Sequence, residues 1–256
     1  MDMIKARGLF NNLYQPVEIE VDPQTNNVAY HDKSYSANDL NWSVPVNAAV
    51  YGAALNYKGE LEKMGDLLHN DPYKAPPKAP ILYIKPLNTL TPHQSNIPLP
   101  SDVKELQTGA ALGIVFKKTA TRVNASSASE YIQGFTIVND ISIPHESVHR
   151  PAVKQKARDG FCPIGPWVVE SDQLSNADNL EVKVYVNNEL KQTNSTENLV
   201  RNIGTLIEDV TEFMTLFKGD VLLVGTPENP PLLKEGDQVR VEIEGIGKLE
   251  NSVVTE

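Results

Sequence analysis

Residues 138–167 read VNDISIPHESVHRPAVKQKARDGFCPIGPW, and the apolar runs on either side of this stretch decide how the chain folds. It leaves one run at Asn139-Asp140, crosses a segment rich in His, Arg and Lys, and closes on Phe161-Cys162-Pro163-Ile164-Gly165-Pro166-Trp167. Polar groups of different chemistry crowded between two apolar runs suit a site on loops carried by a scaffold. A long polar surface connection has the same composition, and on these residues alone both readings stand. The Pro and Gly content of 161–167 predicts irregular structure there.

Working outward, residues 110–116 and 131–138 are continuous apolar runs, read as buried strands. Val17 to Val21 and Val182 to Val186 alternate with period two, and Asn187-Asn188 is a hairpin signal. Residues 48–55 form another buried strand. Leu61, Met64, Leu67 and Leu68 follow it at helical spacing. Residues 71–80 carry four prolines and predict a loop. Apolar residues from Leu199 to Phe217 predict the longest helix, capped by Ser195 or Thr196 and ended by Gly219. Many short strands with few helices indicate a β-dominated α+β fold. Residues 1–45 read as a small β-rich lead-in to a main domain over 46–256.

The formal net charge is −10, which argues against a nucleic-acid partner, because such binding needs Lys and Arg to neutralise phosphates. The absence of GxGxxG and Walker patterns argues against nucleotide binding. The single cysteine, Cys162, excludes an internal disulfide and a Cys-based zinc site, and fits a reducing cytoplasm. The opening MDMIKARGLF lacks the apolar core of a signal peptide, and no run reaches membrane-spanning length. A cytoplasmic protein with no membrane partner is expected.

Several segments then fall into one order: ALNYKGELEKM, IKPLNTL, IPLP, an apolar strand, GFTIVNDIS, KARDGFCPIGPW, KGDVLLVGTP and LKEGDQVRVEIEGIGKLENSV. Together they resemble the fumarylacetoacetate hydrolase family over roughly residues 48–256. DPYKAPPKAP with LYIKPLNTL, and RPAVKQKARDGFCPIG, are similar more narrowly to one branch. That branch is the first subunit, or N-terminal half, of the isomerase/decarboxylases of 4-hydroxyphenylacetate catabolism. The resemblance implies a mixed β-sandwich or roll of the family's C-terminal domain type. It also implies a homodimer, or a heteromer with a family paralogue, acting on small acidic keto–enol compounds. Mg²⁺ or Mn²⁺ held on three carboxylates would polarise the substrate carbonyl.

Carried over residue by residue, the resemblance is incomplete. Two metal ligands come as Glu-x-Glu on one face of the strand at 110–116; the matching positions here are Gly109 and Ala111. The third ligand matches Asp140. Metal binding by this chain is therefore expected to be weak or absent. The family's His and Glu acid/base pair, after Asn-Tyr, corresponds to Glu60 and Lys63 after Asn56-Tyr57. A carboxylate at Glu60 serves as a base if burial raises its pKa. The competing reading is a solvated Glu60–Lys63 helix face.

Lys156 matches a lysine near metal and substrate, and is expected to be catalytic and to bind an anion. Thr226 matches a threonine that meets a substrate carboxylate. Lys85 also matches, either in the site or as a loop anchor, and Arg158 is a further anion contact. His145 and His149 are four apart, as in some zinc sites, but Pro144 and Pro151 bracket them. His31, His69 and His93 sit in turn contexts and are expected to be exposed. Cys162 reads as a small buried hydrophobe. Two outcomes compete: an isomerase/decarboxylase acting on an oxo-dicarboxylate, and a non-catalytic pseudo-subunit supporting a catalytic paralogue.

Overall fold

The computed structural model describes residues 3–145 and 151–256. The chain opens with β1 (Ile4–Gly8), β2 (Val17–Asp22), β3 (Asn27–Tyr30) and β4 (Lys33–Ser36). Then come β5 (Val50–Ala54), helix α1 (Lys58–Met64), β6 (Ile81–Lys85), β7 (Leu90–Thr91), β8 (Asn96–Leu99) and β9 (Leu106–Gln107). β10 (Ala110–Phe116) and β11 (Ile132–Asn139) lead to α2 (Val153–Lys156) and β12 (Cys162–Glu170). The remainder is β13 (Glu181–Val186), β14 (Glu189–Ser195), α3 (Ile203–Phe213), β15 (Val221–Leu223), β16 (Leu232–Leu233), β17 (Gln238–Ile243) and β18 (Gly247–Thr255).

An eleven-stranded mixed sheet has the order β4-β3-β2-β1-β12-β11-β10-β15-β5-β6, with β7 paired to β12. A five-stranded sheet, β14-β13-β17-β18-β8, packs against it. β10 is apolar throughout because both of its faces are covered. Leu112, Ile114 and Phe116 share a core with Val184, Val241 and Leu249 of the second sheet, whereas Ala111 and Val115 pack with Val50, Ile164 and Val168. This arrangement explains why the runs at β10 and β11 do not alternate. β13 has only one face on the core and alternates as expected, with Val182, Val184 and Val186 buried. Asn187 and Asn188 turn its hairpin at φ 52° and 65°, the left-handed values that a tight hairpin turn demands. The N-terminal hairpins extend the large sheet through β1, which pairs with β12. Trp42 sits edge-on to Trp167 at 5.7 Å, and the Trp167 indole donates to Ile246 O at 2.8 Å. No helix among the described residues is long and apolar enough to cross a membrane.

Three expectations are corrected. Residues 162–170 form a nine-residue strand despite their Pro and Gly. Phe135 pairs with Val169 but Ile137 pairs with Gly165, so residues 166–168 bulge opposite Thr136. The Thr136 hydroxyl donates to Trp167 O at 2.7 Å inside that bulge, and a proline is tolerated where the ladder is already interrupted. The long helix begins only at Ile203. Asn202 caps it by accepting from the Thr205 N–H at 2.9 Å, while Ser195 caps a separate 3-10 turn at Thr196–Asn198. Phe213 and Phe217 lie in solvent.

His93 is the third correction: it is 3% exposed. Its Nδ1 accepts from the Glu250 N–H and its Nε2 meets Asn38 Oδ1. Burial pushes the ring down from 6.5 to about 4. A base depressed by folding stabilises fully above its unfolded pKa, and that stability is lost as pH falls from 6.5 toward 4. The stability gap between wild type and His93→Gln should therefore narrow by about 2 kcal/mol between about pH 7.5 and about pH 5. Urea unfolding reads this directly; a gap independent of pH would show that the ring is not held neutral.

Candidate active site

The site lies where β11 ends. Asp140 is 2% exposed and is approached from two elements. From β6, period-two spacing brings Tyr83 and Lys85 to one side: the Tyr83 hydroxyl donates to Asp140 Oδ2 at 2.6 Å, and Lys85 Nζ lies 2.9 Å from Oδ1. From α2, Lys156 Nζ donates to Oδ2 at 2.7 Å. Lys85 is 1% exposed, and its protons are spent on the carbonyls of Ile141 and Lys156 at 3.2 and 2.7 Å. It therefore anchors the segment that carries Lys156. Burial by itself would raise the Asp140 carboxyl. The Lys156 and Lys85 ammoniums, with hydrogen bonds from Lys156 and Tyr83, outweigh it and hold the group well below the usual carboxylate range. Lys156 keeps 20% of its side chain exposed and stands 4.7 Å from the Tyr83 ring centre.

These residues do not fit the divalent cation that the resemblance implies. Gly109 and Ala111 carry no donor side chain. Gly109 is also sewn to the end of β11: its N–H donates to Asn139 Oδ1 at 2.9 Å, and its carbonyl accepts from the Asp140 N–H at 2.8 Å. A Cβ at this position would collide with the Asp140 carbonyl oxygen, so a glutamate could not enter without moving the strand ends apart. The oxygens of Asp140 already face two ammoniums and a phenol. A divalent cation there would meet a net positive shell, the reverse of a carboxylate cage.

A second cluster forms beside the first. Asn56 holds the strand-to-helix turn by donating to Val224 O at 2.7 Å and accepting from the Arg201 N–H at 3.0 Å. Tyr57 is fully buried and starts α1, and Glu60 follows on the first turn. Burial raises the Glu60 carboxyl to about 7; Glu228 adds to the rise, while Lys156 and the Tyr57 and Leu55 N–H groups oppose it. The Tyr57 hydroxyl and the Oε2 atoms of Glu60 and Glu228 are all buried and find no hydrogen-bond partner among the described residues. Lys63 points away, donating to Asn229 Oδ1 at 3.1 Å. The expected Glu60–Lys63 surface pair does not form, because the loop after β15 covers the Glu60 side of the helix and pulls Lys63 to its rim.

Thr226 is half-buried on that loop, two residues from Glu228. Arg158 is turned aside: its Nε donates to Lys154 O at 3.1 Å. His145 Nδ1 meets Ile143 O at 3.0 Å, and His149 lies outside the described residues. Cys162 is fully buried, and burial raises its thiol to about 12, which leaves it inert. Sequence reasoning missed Tyr83 and Glu228. Tyr83 could have been found, since it lies two residues before Lys85 on one strand; nothing in Gly225-Thr226-Pro227-Glu228 signals its counterpart.

Similarity to known proteins shows the family of the chain. The fumarylacetoacetate hydrolase C-terminal profile matches residues 49–254. The chain is 42% identical over 211 residues to the 4-hydroxyphenylacetate degradation bifunctional isomerase/decarboxylase of Escherichia coli, covering 82% of this chain and 48% of that protein. It thus spans about half the length of this relative and of two further curated isomerase/decarboxylases to which it is similar. The structure of 2-hydroxyhepta-2,4-diene-1,7-dioate isomerase from Mycobacterium marinum superposes with a TM-score of 0.80 at 27% identity, covering 100% of this chain and 99% of that one. Maleylpyruvate hydrolase from Sphingobium sp. SYK-6, solved with manganese(II) and pyruvate, gives 0.73 at 25% identity, covering 87% and 77%. The β-dominated mixed-sheet architecture is that of these neighbours. The chain belongs to the fumarylacetoacetate hydrolase family.

Proposed function

We propose that the chain is an isomerase/decarboxylase-type enzyme for an oxo-dicarboxylate of aromatic ring-cleavage catabolism, in which Glu60 moves the proton and Lys156 stabilises the enolate. The observation that carries this reading is the buried Glu60 carboxyl, raised to about 7 and within electrostatic reach of Lys156. A group that takes a proton and returns it at another atom works best with its pKa near the operating pH. In an isomerisation, the dienol O–H loses its proton to the Glu60 carboxylate, the electron pair shifts along the conjugated chain, and the remote carbon takes the proton back. In a decarboxylation, the bond to the leaving carboxylate breaks and CO₂ departs. Its electron pair moves into the enone, and Glu60 protonates the resulting carbanion carbon. Both routes pass through a dienolate whose oxygen carries the charge.

An ammonium has three N–H donors. On Lys156 one is committed to Asp140, which leaves donors for the dienolate oxygen. Thr226 offers its hydroxyl to a substrate carboxylate, and Arg158 would join only by releasing Lys154 O. The test is turnover of 2-hydroxyhepta-2,4-diene-1,7-dioate by the purified chain, followed as loss of dienol absorbance. Lys156→Ala should lower kcat by about 10²–10³-fold with the fold intact by circular dichroism. An unchanged kcat would remove the lysine from the mechanism.

The donor-free Gly109 and Ala111 favour a second reading, a pseudo-subunit that supports a paralogue bearing the carboxylates. Activity appearing only after mixing with such a paralogue would select it.

A further inference from the structure

We propose that Glu228 is the positioning residue for Glu60, the two carboxyl groups sharing one proton so that the pair carries a single negative charge. This deepens the reading of Glu60 as the proton-transfer group. The geometry begins at Gly59: a side chain there would collide with the Glu228 carboxylate, so the glycine lets Glu228 settle directly over the turn that carries Glu60. Glu228 is held in place from β14. Asn194 Nδ2 donates to its Oε1 at 3.1 Å, and Gln192 Nε2 donates to its backbone carbonyl at 2.6 Å. Among the described residues, no donor reaches the buried Oε2 of either glutamate, and the buried Tyr57 hydroxyl, which feels the charge of both, has no partner either.

Two ionised oxygens cannot both remain buried without donors. A shared proton supplies one donor and the Tyr57 hydroxyl a second. Besides Tyr57, the other titratable groups acting on Glu60 among the described residues are the Lys156 ammonium from α2 and Tyr83 from β6, and the Tyr57 and Leu55 N–H groups also favour its ionised form. Lys156 stabilises the ionised form and is the reason the pair keeps one charge rather than none. The raised Glu60 carboxyl agrees with this arrangement. In the family pattern a second member of the acid/base pair sits three positions along the helix. Here Lys63 occupies that position, and the second carboxyl comes from a distant loop.

The test is a ¹³C NMR titration of carboxyl-labelled glutamates in the full chain, with the Glu60 signal assigned by its loss in Glu60→Gln. In wild type Glu60 should titrate near 7. In Glu228→Gln its midpoint should fall by about one unit or more, and the acid limb of kcat/KM should move with it. Glu228→Asp should retain most of the elevation. Asn194→Ala, which frees Glu228, should also move the midpoint, and serves if Glu228→Gln folds poorly. A Glu60 midpoint that stays fixed in both variants overturns the proposal. So does a millimolar Mg²⁺ addition that collapses the midpoint, since a cation would then fill the place of the proton. Because the titration needs no substrate, it decides the pairing even if the dienoate is never turned over, a result that would sink only the proposed function.

Discussion

Asp140→Asn is expected to lower the unfolding free energy by about 3–5 kcal/mol, the cost of leaving a buried charge without its partner. Lys85 has no exposed side-chain surface, and Lys156 has only 20%. Without the carboxylate, two ammoniums face each other across a neutral amide, and Lys85 must either lose its proton or open the core to water. Removing both members is less damaging than removing one, because an apolar replacement leaves nothing unpaired. The double variant Asp140→Asn with Lys85→Met should therefore recover part of the loss. Urea unfolding of the single and double variants gives the coupling directly; a single variant within about 1 kcal/mol of wild type would mean the cluster contributes little. The pH dependence follows from the same geometry. A carboxyl depressed by folding stabilises above its unfolded pKa, near 3.8, and that stability is lost as pH falls below this value.

Glu60→Gln is expected to lower kcat by roughly 10²–10⁴-fold while leaving KM close to wild type, because the amide keeps the shape but cannot exchange a proton. In wild type the acid limb of kcat/KM should have its midpoint near 7, the value burial imposes on this carboxyl, with activity rising as pH increases and Glu60 ionises. The variant should show no such limb. A Glu60→Gln enzyme with more than about one tenth of the wild-type kcat would exclude the carboxyl as the group that carries the proton. The glutamine is not expected to destabilise the fold, since its amide N–H can donate to the Glu228 carboxylate in place of the shared proton and the residue no longer brings a charge to be buried.

Much of the fold was legible because its signals are local. The unbroken apolar runs at β10 and β11 announced strands buried on both faces, the alternation at β13 announced a strand with one face out, and Asn187-Asn188 announced the hairpin. The misreadings arose where a long-range partner overrode a local preference. β12 accepts Pro163 and Pro166 because a bulge opposite Thr136 and parallel pairing with β7 absorb them. His93 is buried because Asn38 and Glu250, far away in sequence, supply its two hydrogen bonds.

The candidate site divides in the same way. By itself the sequence determined which chemistry-bearing residues are present and which are missing: Asp140, Lys156 and Glu60 in the family order, with Gly109 and Ala111 where carboxylates would stand. Only the tertiary structure decided what those residues do to one another. It seated Asp140 between Lys85, Lys156 and Tyr83 and brought Glu228 over Gly59 from a loop about 170 positions away. It also turned Lys63 outward to Asn229. The reason is physical. Residue type and spacing set which groups a chain can offer, but a pKa depends on burial and on charges a few ångströms away, and those neighbours are assembled by the packing of strands and loops remote in sequence.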